Sequence, residues 1–215
     1  MEPIYERNIG ALSLPQQTSL LSPVVCIVGC GGVGARTAEL LLRAGVRHLS
    51  LIDAAAFQES DRNRHPFATA ANVGRFKVTE TKRRLLAIDP NAALTAFKKP
   101  YAPAFLSNAA LCIDAVDQPA AHIAISETAP CPVLHARAFG YLVTVLLQAT
   151  GETRLADLYP DARPIRHPAG KLGALDAFAA SLLAAEAVVL LKEAEKPPVT
   201  EGFTKQYTLP YQFER

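Results

Sequence analysis

The most informative spacing in the sequence is a glycine-rich turn at 29–34, which reads Gly-Cys-Gly-Gly-Val-Gly. It follows an apolar, strand-like run and opens a helical pattern, the setting in which G-x-G-x-x-G binds phosphate. Gly29 allows the tight turn, Gly31 lets the backbone approach a phosphate group, and Gly34 lets the helix pack closely on the strand. The free N–H groups at the helix start attract an anion. The turn, which also contains Gly32, is predicted to bind a nucleotide. Its pattern does not distinguish NAD from ATP.

Carboxylates follow two of the predicted strands. Asp53 ends the second strand, close to the usual distance of about 20 residues past a glycine turn, where a carboxylate accepts hydrogen bonds from ribose hydroxyls. Asp114 and Asp117 flank the end of a later strand. They are therefore expected at the carboxyl edge of the sheet, where ligands bind in open α/β folds.

Polar and basic side chains cluster just after the second strand. The segment 59–65 contains Asp61, Asn63 and Arg64, and Lys77 begins the next predicted helix. A basic side chain at a helix start opposes the helix dipole, so its position makes sense where it reaches an anion. An enzyme that acts on a triphosphate uses such a cluster, whereas a plain dehydrogenase does not need it.

The apolar patterns that position these residues predict an α/β fold. It is Rossmann-like, with a largely parallel sheet and helices on both faces. Strands are expected at 24–28, 48–52, 93–97, 110–113, 133–136, 142–149 and 203–209, and the last two allow an antiparallel extension in the C-terminal half. Helices are expected at 35–44, 77–88, 119–128 and 175–195. A single domain 1–215 is predicted, divided into an N-terminal arm 1–22 with a short helix, a nucleotide-binding core 23–149, a long loop 150–173, and a C-terminal helix and tail 174–215.

Composition limits the function classes. The 215 residues, half of them apolar, suffice for one large domain. The balance of 22 Lys+Arg against 20 Asp+Glu argues against a dedicated nucleic-acid binder. The four cysteines form no C-x-x-C pair and lie in apolar segments, so buried thiols in a reducing compartment are expected. No membrane span and no signal peptide are expected, which predicts a cytoplasmic location.

Taken in order, these residues resemble the ThiF, MoeB and HesA family, which shares its adenylation domain with ubiquitin-activating enzymes. The resemblance covers most of the chain. It rests on Tyr5-Glu6-Arg7-Asn8, the glycine turn, Asp53, Arg64, Val73-Gly74-Arg75-Phe76-Lys77, Asp114-Ala115-Val116-Asp117 and the helix around Ala185-Glu186-Ala187.

The resemblance implies ATP-dependent adenylation of a carboxylate, the C-terminal glycine carboxylate of a ubiquitin-like or sulfur-carrier protein. It implies that Arg64 and Lys77 contact the phosphates and that Asp53 contacts the ribose. It assigns a Mg²⁺ ion to Asp117. It also implies a homodimer in which Arg7 reaches the partner's site as an arginine finger.

One departure from the family pattern concerns Asp61, which stands where the family places an asparagine. A carboxylate that faces a triphosphate needs a metal ion or a basic neighbour, because like charges about 4 Å apart repel by roughly 4 kcal/mol at an effective dielectric near 20. Arg62 or Arg64 could be that neighbour, or Asn63 could supply the amide instead.

Two further departures concern missing groups. The family's second aspartate, two residues after the ribose-binding one, is Ala55 here. No cysteine follows Cys131, and the zinc-binding C-x-x-C pairs of many members are absent. Adenylation without covalent thioester transfer is therefore expected. Two alternatives stay open, namely a non-catalytic module that binds a ubiquitin-like protein, and an NAD-dependent oxidoreductase.

Overall fold

The computed structural model describes residues 2–139, 142–149, 171–193 and 203–208. In chain order its strands are β1 Val24–Val28, β2 His48–Ile52, β3 Ala93–Phe97, β4 Leu111–Asp114, β5 Val133–Phe139, β6 Leu142–Gln148 and β7 Phe203–Thr208. Its α-helices are α1 Leu14–Ser19, α2 Gly32–Ala44, α3 Lys77–Leu86, α4 Pro119–Thr128 and α5 Gly173–Leu191. Short 3-10 helices lie at Pro3–Asn8, Glu59–Asp61, Ala70–Asn72 and Pro103–Leu106.

The described strands form one sheet in the order β3-β2-β1-β4-β5-β6-β7. The strands from β3 to β5 in this order run parallel, and β6 and β7 add two antiparallel pairings. The chain continues from β1 to β2 on one side, whereas β4 pairs with the other side of β1. The strand order therefore reverses between β1 and β4, the place where open α/β sheets bind ligands.

The sheet separates two apolar layers, because successive strand residues point to opposite faces. In β1, Val25 and Ile27 belong to the larger layer, which includes residues of α2, α3 and α5. Cys26 and Val28 belong to the smaller layer, which includes Ile125 of α4. All four cysteines are free and buried, which confirms the expectation of buried thiols.

The structure confirms the Rossmann-like prediction, including helices on both faces and the antiparallel extension. Helix α2 begins at Gly32 rather than at Ala35, because the end of the glycine turn already belongs to the first helical turn. Strand β4 includes Asp114, and β5 continues to Phe139. The predicted loop 150–173 lies outside the described residues except for its last three, and its role stays a prediction, as do the domain bounds.

Helix α5 bears on the expectation that the chain has no membrane span. Its 19 residues are apolar enough and long enough to cross a membrane, by length and composition alone. A core helix of a globular protein has the same pattern. Helix α5 packs on α2, β5 and β6 and buries Ala179, Leu183 and Ala187 completely, so its contacts are those of a core helix.

Candidate functional site

A cleft of about 350 Å³ lies at the carboxyl ends of β1, β2 and β4, beside the reversal of strand order. Its volume is in the range of small-molecule sites, roughly 300–1,000 Å³. Six of the predicted site residues line it, namely Gly29, Gly31, Asp53, Arg64, Lys77 and Asp117. The cleft thus brings the glycine turn together with two predicted phosphate contacts and two carboxylates.

At two positions of the glycine turn, the fold requires glycine whether or not a ligand is bound. Gly29 has a φ of +90°, and a Cβ there would lie 2.6 Å from the carbonyl oxygen of Ala115. A Cβ at Gly34 would clash with the carbonyl oxygen of Gly29. Gly31 differs, because it has an ordinary φ of −77° and open space beside it. The fold therefore requires Gly29 and Gly34, whereas only an occupant of the cleft would require Gly31.

Asp53 fixes the conformation of the turn besides lining the cleft. Its Oδ2 accepts a hydrogen bond from the Cys30 N–H at 2.7 Å, and its Oδ1 accepts one from the Ala55 N–H at 2.7 Å. The Ala55 carbonyl oxygen in turn accepts the Lys77 N–H at 3.0 Å, which positions the start of α3 at the cleft. The N-cap of α2, Gly31, has no side-chain cap, so the first N–H groups of α2 remain available to an anion.

A buried carboxylate, Asp61, holds two cations of the cleft. Arg64 Nη2 lies 3.1 Å from Asp61 Oδ1, and Lys77 Nζ lies 3.1 Å from Asp61 Oδ2. The Gln58 N–H donates to Asp61 Oδ2 at 2.9 Å. Burial by itself raises the pKa of Asp61, but the Gln58 N–H, Lys77 and Arg64 outweigh it and hold that pKa below its usual value.

The structure also decides which basic neighbour compensates Asp61. Arg64 and Lys77 share that role, whereas Arg62 pairs at the surface with Glu59. Asp61 is not among the residues that line the cleft. Its carboxylate is therefore a counter-ion that orients Arg64 and Lys77, and its negative charge is already balanced without a metal ion.

Asp176, in the first turn of α5, is a second carboxylate on Arg64 that sequence reasoning did not select. Its Oδ2 lies 3.5 Å from Arg64 Nε, and its side chain is 8% exposed. It approaches α2 so closely that a Cβ at Gly32 would clash with it. Burial raises the pKa of Asp176, and Lys171 and Arg64 counteract only part of that effect. Gly32 thus serves packing against α5, and it does not line the cleft.

Two predicted site residues contact the segment that precedes α5. Asn63 Nδ2 donates to the Lys171 carbonyl oxygen at 3.1 Å, outside the cleft lining. Asp117 lines the cleft, is largely exposed, and forms an ion pair with the Lys171 ammonium group. The structure therefore places Asn63 where it holds the start of α5, and it places Asp117 where a ligand of the cleft can reach it.

Arg7 lies apart from the other predicted residues. Two hydrogen bonds anchor the 3-10 helix that carries it. The Tyr5 hydroxyl group donates to Asp89 at 3.1 Å, and the Asn8 side-chain amide donates to the Ala44 carbonyl oxygen at 3.3 Å. Ala44 is the last residue of α2, so this anchor lies at the edge of the sheet opposite the cleft. Arg7 is exposed there and does not reach the cleft of its own chain.

Lys99 and Tyr101, which are not among the predicted site residues, also line the cleft. They follow β3 at the same edge of the sheet as Asp53 and Asp117. Their position just after a predicted parallel strand is the sequence signal that could have identified them. Lys99 adds a third cation to the cleft.

His65 ties the glycine turn to the segment that carries Arg64. Its Nε2 lies 2.8 Å from the Cys30 carbonyl oxygen, and its Nδ1 accepts the Phe67 N–H at 3.1 Å. These two bonds require the neutral ring with its proton on Nε2. Burial is the main reason that the pKa of His65 falls from 6.5 to about 4.

Acidification should destabilise the protein through His65. In the unfolded chain the His65 ring takes up a proton below about pH 6.5, whereas in the folded protein it does so only near pH 4. The free energy of unfolding therefore falls as the pH falls through this interval. Between pH 7.5 and pH 5, the wild type should lose about 2 kcal/mol more unfolding free energy than His65→Gln. Urea unfolding of both proteins at the two pH values measures this, and equal losses would contradict the assignment.

The fold and the cleft define a Rossmann-like protein with a cleft at the reversal of its strand order. The sequence model of the ThiF family matches residues 5–215, and the chain belongs to that family.

Curated relatives include two fungal proteins named adenylyltransferase and sulfurtransferase uba4. The one from Aspergillus niger is 34% identical over 125 residues, which are 56% of this chain and 26% of the relative. The one from Eremothecium gossypii is 32% identical over 120 residues, 54% of this chain and 27% of the relative. The chain therefore matches only about a quarter of the length of these relatives.

Solved structures with the same fold include two Escherichia coli proteins crystallised with ATP. MccB superposes with a TM-score of 0.76 at 18% identity, over 97% of this chain and 72% of that chain. The tRNA N6-threonylcarbamoyladenosine dehydratase TcdA superposes with a TM-score of 0.73 at 20% identity, over 90% of this chain and 96% of that chain. At these identities the likeness shows the fold.

Proposed function

We propose that the chain binds ATP in the cleft and adenylates a carboxylate, the C-terminal carboxylate of a ubiquitin-like or sulfur-carrier protein or peptide. The observation that carries the proposal is the placement of Arg64, Lys77 and Lys99 around one cleft with the uncapped start of α2. This concentration of positive charge and free N–H groups suits a polyphosphate. Membership of the ThiF family and the adenylyltransferase names of the uba4 relatives support the same reading.

In the proposed reaction, a carboxylate oxygen attacks the α-phosphate of ATP and the bond to pyrophosphate breaks. Negative charge moves onto the leaving pyrophosphate, so preorganised cations there lower the barrier. Arg64 and Lys77 supply that charge, and Asp61 keeps both side chains in place before ATP arrives. Asp53 accepts hydrogen bonds from the ribose while it holds the turn.

Asp117 is the residue proposed to hold Mg²⁺. Mg²⁺ is bound in such sites by one or two carboxylates together with substrate phosphates, and the exposed Asp117 carboxylate at the cleft fits that ligand set. When bound, the ion would neutralise phosphate charge. Lys171 then has to release Asp117, and its ammonium group becomes available to the same anion.

The position of Arg7 fits the proposed homodimer. In its own chain, Arg7 lies at the sheet edge opposite the cleft, so it can act on a nucleotide only in another copy. A dimer that places this anchored, exposed segment beside the partner's cleft would supply that contact.

The proposed chemistry stops at the adenylate. The four cysteines are buried, none follows Cys131, and burial raises the pKa of Cys131 to about 12, so these thiols are poor nucleophiles. The same free thiols are consistent with the proposed cytoplasmic location.

Carboxylate-dependent exchange of pyrophosphate into ATP tests the reaction. The wild type should catalyse exchange when a ubiquitin-like or sulfur-carrier protein ending in glycine is added, and not without it. ATP binding without exchange for any such protein would favour the non-catalytic binding module, which the Asp61 and Ala55 departures support. Calorimetry that shows binding of NAD and not of ATP would favour the oxidoreductase.

Asp61→Asn should lower stability without abolishing ATP binding. The amide keeps the acceptor for Gln58 N–H but leaves Arg64 and Lys77 without their shared counter-charge, which should cost about 2 kcal/mol of unfolding free energy. ATP binding should persist, because Asp61 does not line the cleft and both cations that do remain in the variant. Urea unfolding and calorimetry measure both effects, with Glu59→Gln as the exposed control. Loss of ATP binding at unchanged stability would show instead that Asp61 contacts the ligand.

A further inference from the structure

Asp114, His122 and His135 form a cluster that the proposed adenylation does not use. We call this cluster the buried triad. Asp114 ends β4, His135 is its paired neighbour on β5, and His122 comes from α4. Both imidazoles approach the same carboxylate oxygen. His122 Nδ1 lies 2.8 Å from Asp114 Oδ2, and His135 Nδ1 lies 3.3 Å from it.

The atoms of the buried triad have the composition of a transition-metal site. One ligand atom from each residue lies within 4.8 Å of the other two. Two imidazole nitrogens and one carboxylate oxygen suit Zn²⁺, Co²⁺ or Ni²⁺, whereas Mg²⁺ and Ca²⁺ prefer oxygen ligands throughout. We propose that the buried triad binds a divalent transition-metal ion, Zn²⁺ first of all, at a site separate from the nucleotide and from Asp117.

The separations between these atoms fit such an ion. Zinc ligands lie about 2.0–2.2 Å from the metal, so two ligands of one tetrahedral ion are about 3.3 Å apart. The His135–Asp114 separation already has that value, and the His122–Asp114 separation needs to widen by about half an ångström. The two rings pack edge to face, at 84° with centroids 4.4 Å apart, and the Nδ1 atoms of both lie next to the same carboxylate oxygen.

The supporting structure holds the ligands in place. Asp114 and His135 are fixed side by side by the register of two parallel strands, and α4 holds His122 above them. The second oxygen of Asp114 accepts the Val116 N–H at 3.3 Å, which orients the carboxylate. Ligands that stand on strands and helices, with hydrogen bonds behind them, are the arrangement that binds metals tightly.

Charge balance gives a further reason. Asp114 is 1% exposed, and its described ion-pair partners are the two histidines. An ionised carboxylate in the interior needs a compensating positive charge, because an uncompensated one is costly there. A divalent cation supplies that charge. It would also tie β4, β5 and α4 together next to Val116, which lines the cleft and donates its N–H to Asp114.

Metal binding by the untagged chain of 215 residues tests the proposal. The chain is purified without a histidine tag, freed of metal with a chelator and titrated with Zn²⁺ against a chromophoric competitor. One Zn²⁺ per chain is expected, and Co²⁺ should give visible d–d absorption with nitrogen ligands. His122→Gln should weaken Zn²⁺ binding at least 100-fold, because it removes a ligand at a partly exposed position. The matched control, His48→Gln, changes a half-buried histidine of β2 outside the triad and should bind as the wild type does.

These readouts are independent of adenylation, so they separate the metal site from the proposed function. Zinc should also raise the melting temperature of the wild type and of His48→Gln, but not that of His122→Gln. The proposal is overturned if the metal-free wild type takes up neither Zn²⁺ nor Co²⁺ in stoichiometric amounts. It is equally overturned if His122→Gln binds Zn²⁺ as tightly as the wild type, a comparison that circular dichroism validates by showing that the variant is folded.

Discussion

Gly34→Ala should destabilise the protein by about 3 kcal/mol or more, enough to prevent folding if the wild type is of ordinary stability. The added Cβ would clash with the carbonyl oxygen of Gly29. That atom belongs to a turn held by the Gly29 N–H bond to Ile52 at 2.8 Å, so it cannot move aside without breaking the turn. Urea unfolding, or the yield of folded protein, measures the effect.

Gly31→Ala is the matched substitution, two residues from Gly29 and three from Gly34. Its φ is ordinary and nothing lies within 4 Å of the added Cβ, so its unfolding free energy should stay within about 0.5 kcal/mol of the wild-type value. ATP affinity should nevertheless fall at least tenfold, because the methyl group enters the space that a phosphate group would occupy. A stable Gly31→Ala protein that binds ATP normally would contradict the placement of the phosphates.

Lys77→Met should reduce pyrophosphate exchange by about 10²–10³-fold, the usual effect of removing one group that stabilises transition-state charge. The substitution keeps the long apolar stem and removes the ammonium group. Arg64 still compensates Asp61 at 3.1 Å, so the protein should remain folded. Steady-state exchange rates at saturating ATP, compared with melting temperatures, separate a chemical effect from unfolding.

Lys82→Met is the control for this result. It makes the same chemical change on the same helix, α3, at a position that does not line the cleft. Exchange by Lys82→Met should equal that of the wild type within about twofold. Equal activity of Lys77→Met and the wild type would remove Lys77 from the proposed reaction.

The sequence was sufficient for the parts of the site that depend on local pattern. The glycine turn, Asp53 and Lys77 each stand at the end of a strand or the start of a helix, and the parallel sheet brings such positions to one edge. The same rule would have selected Lys99 and Tyr101, whose strand was predicted. For these residues, the fold class and the strand bounds together decide the location.

Other features depend on contacts between segments that are distant in the chain. Asp176 reaches Arg64 only because α5 packs against α2, and no local pattern shows that approach. Asn63 was predicted as the residue that could supply the amide of the family's asparagine in place of Asp61, yet its side chain donates to the segment before α5. The buried triad likewise comes from two strands and a helix, and its members are too widely spaced to form a motif.

The central claim, that the cleft activates a carboxylate with ATP, is tested most directly by pyrophosphate exchange with matched acceptors. A ubiquitin-like or sulfur-carrier protein is supplied once with a free C-terminal glycine carboxylate and once with that carboxylate amidated. Exchange is predicted with the free acid, at a rate that Lys77→Met lowers by about 10²–10³-fold, and none is predicted with the amide. Equal exchange with both acceptors, or none with either although ATP is bound, would contradict the claim.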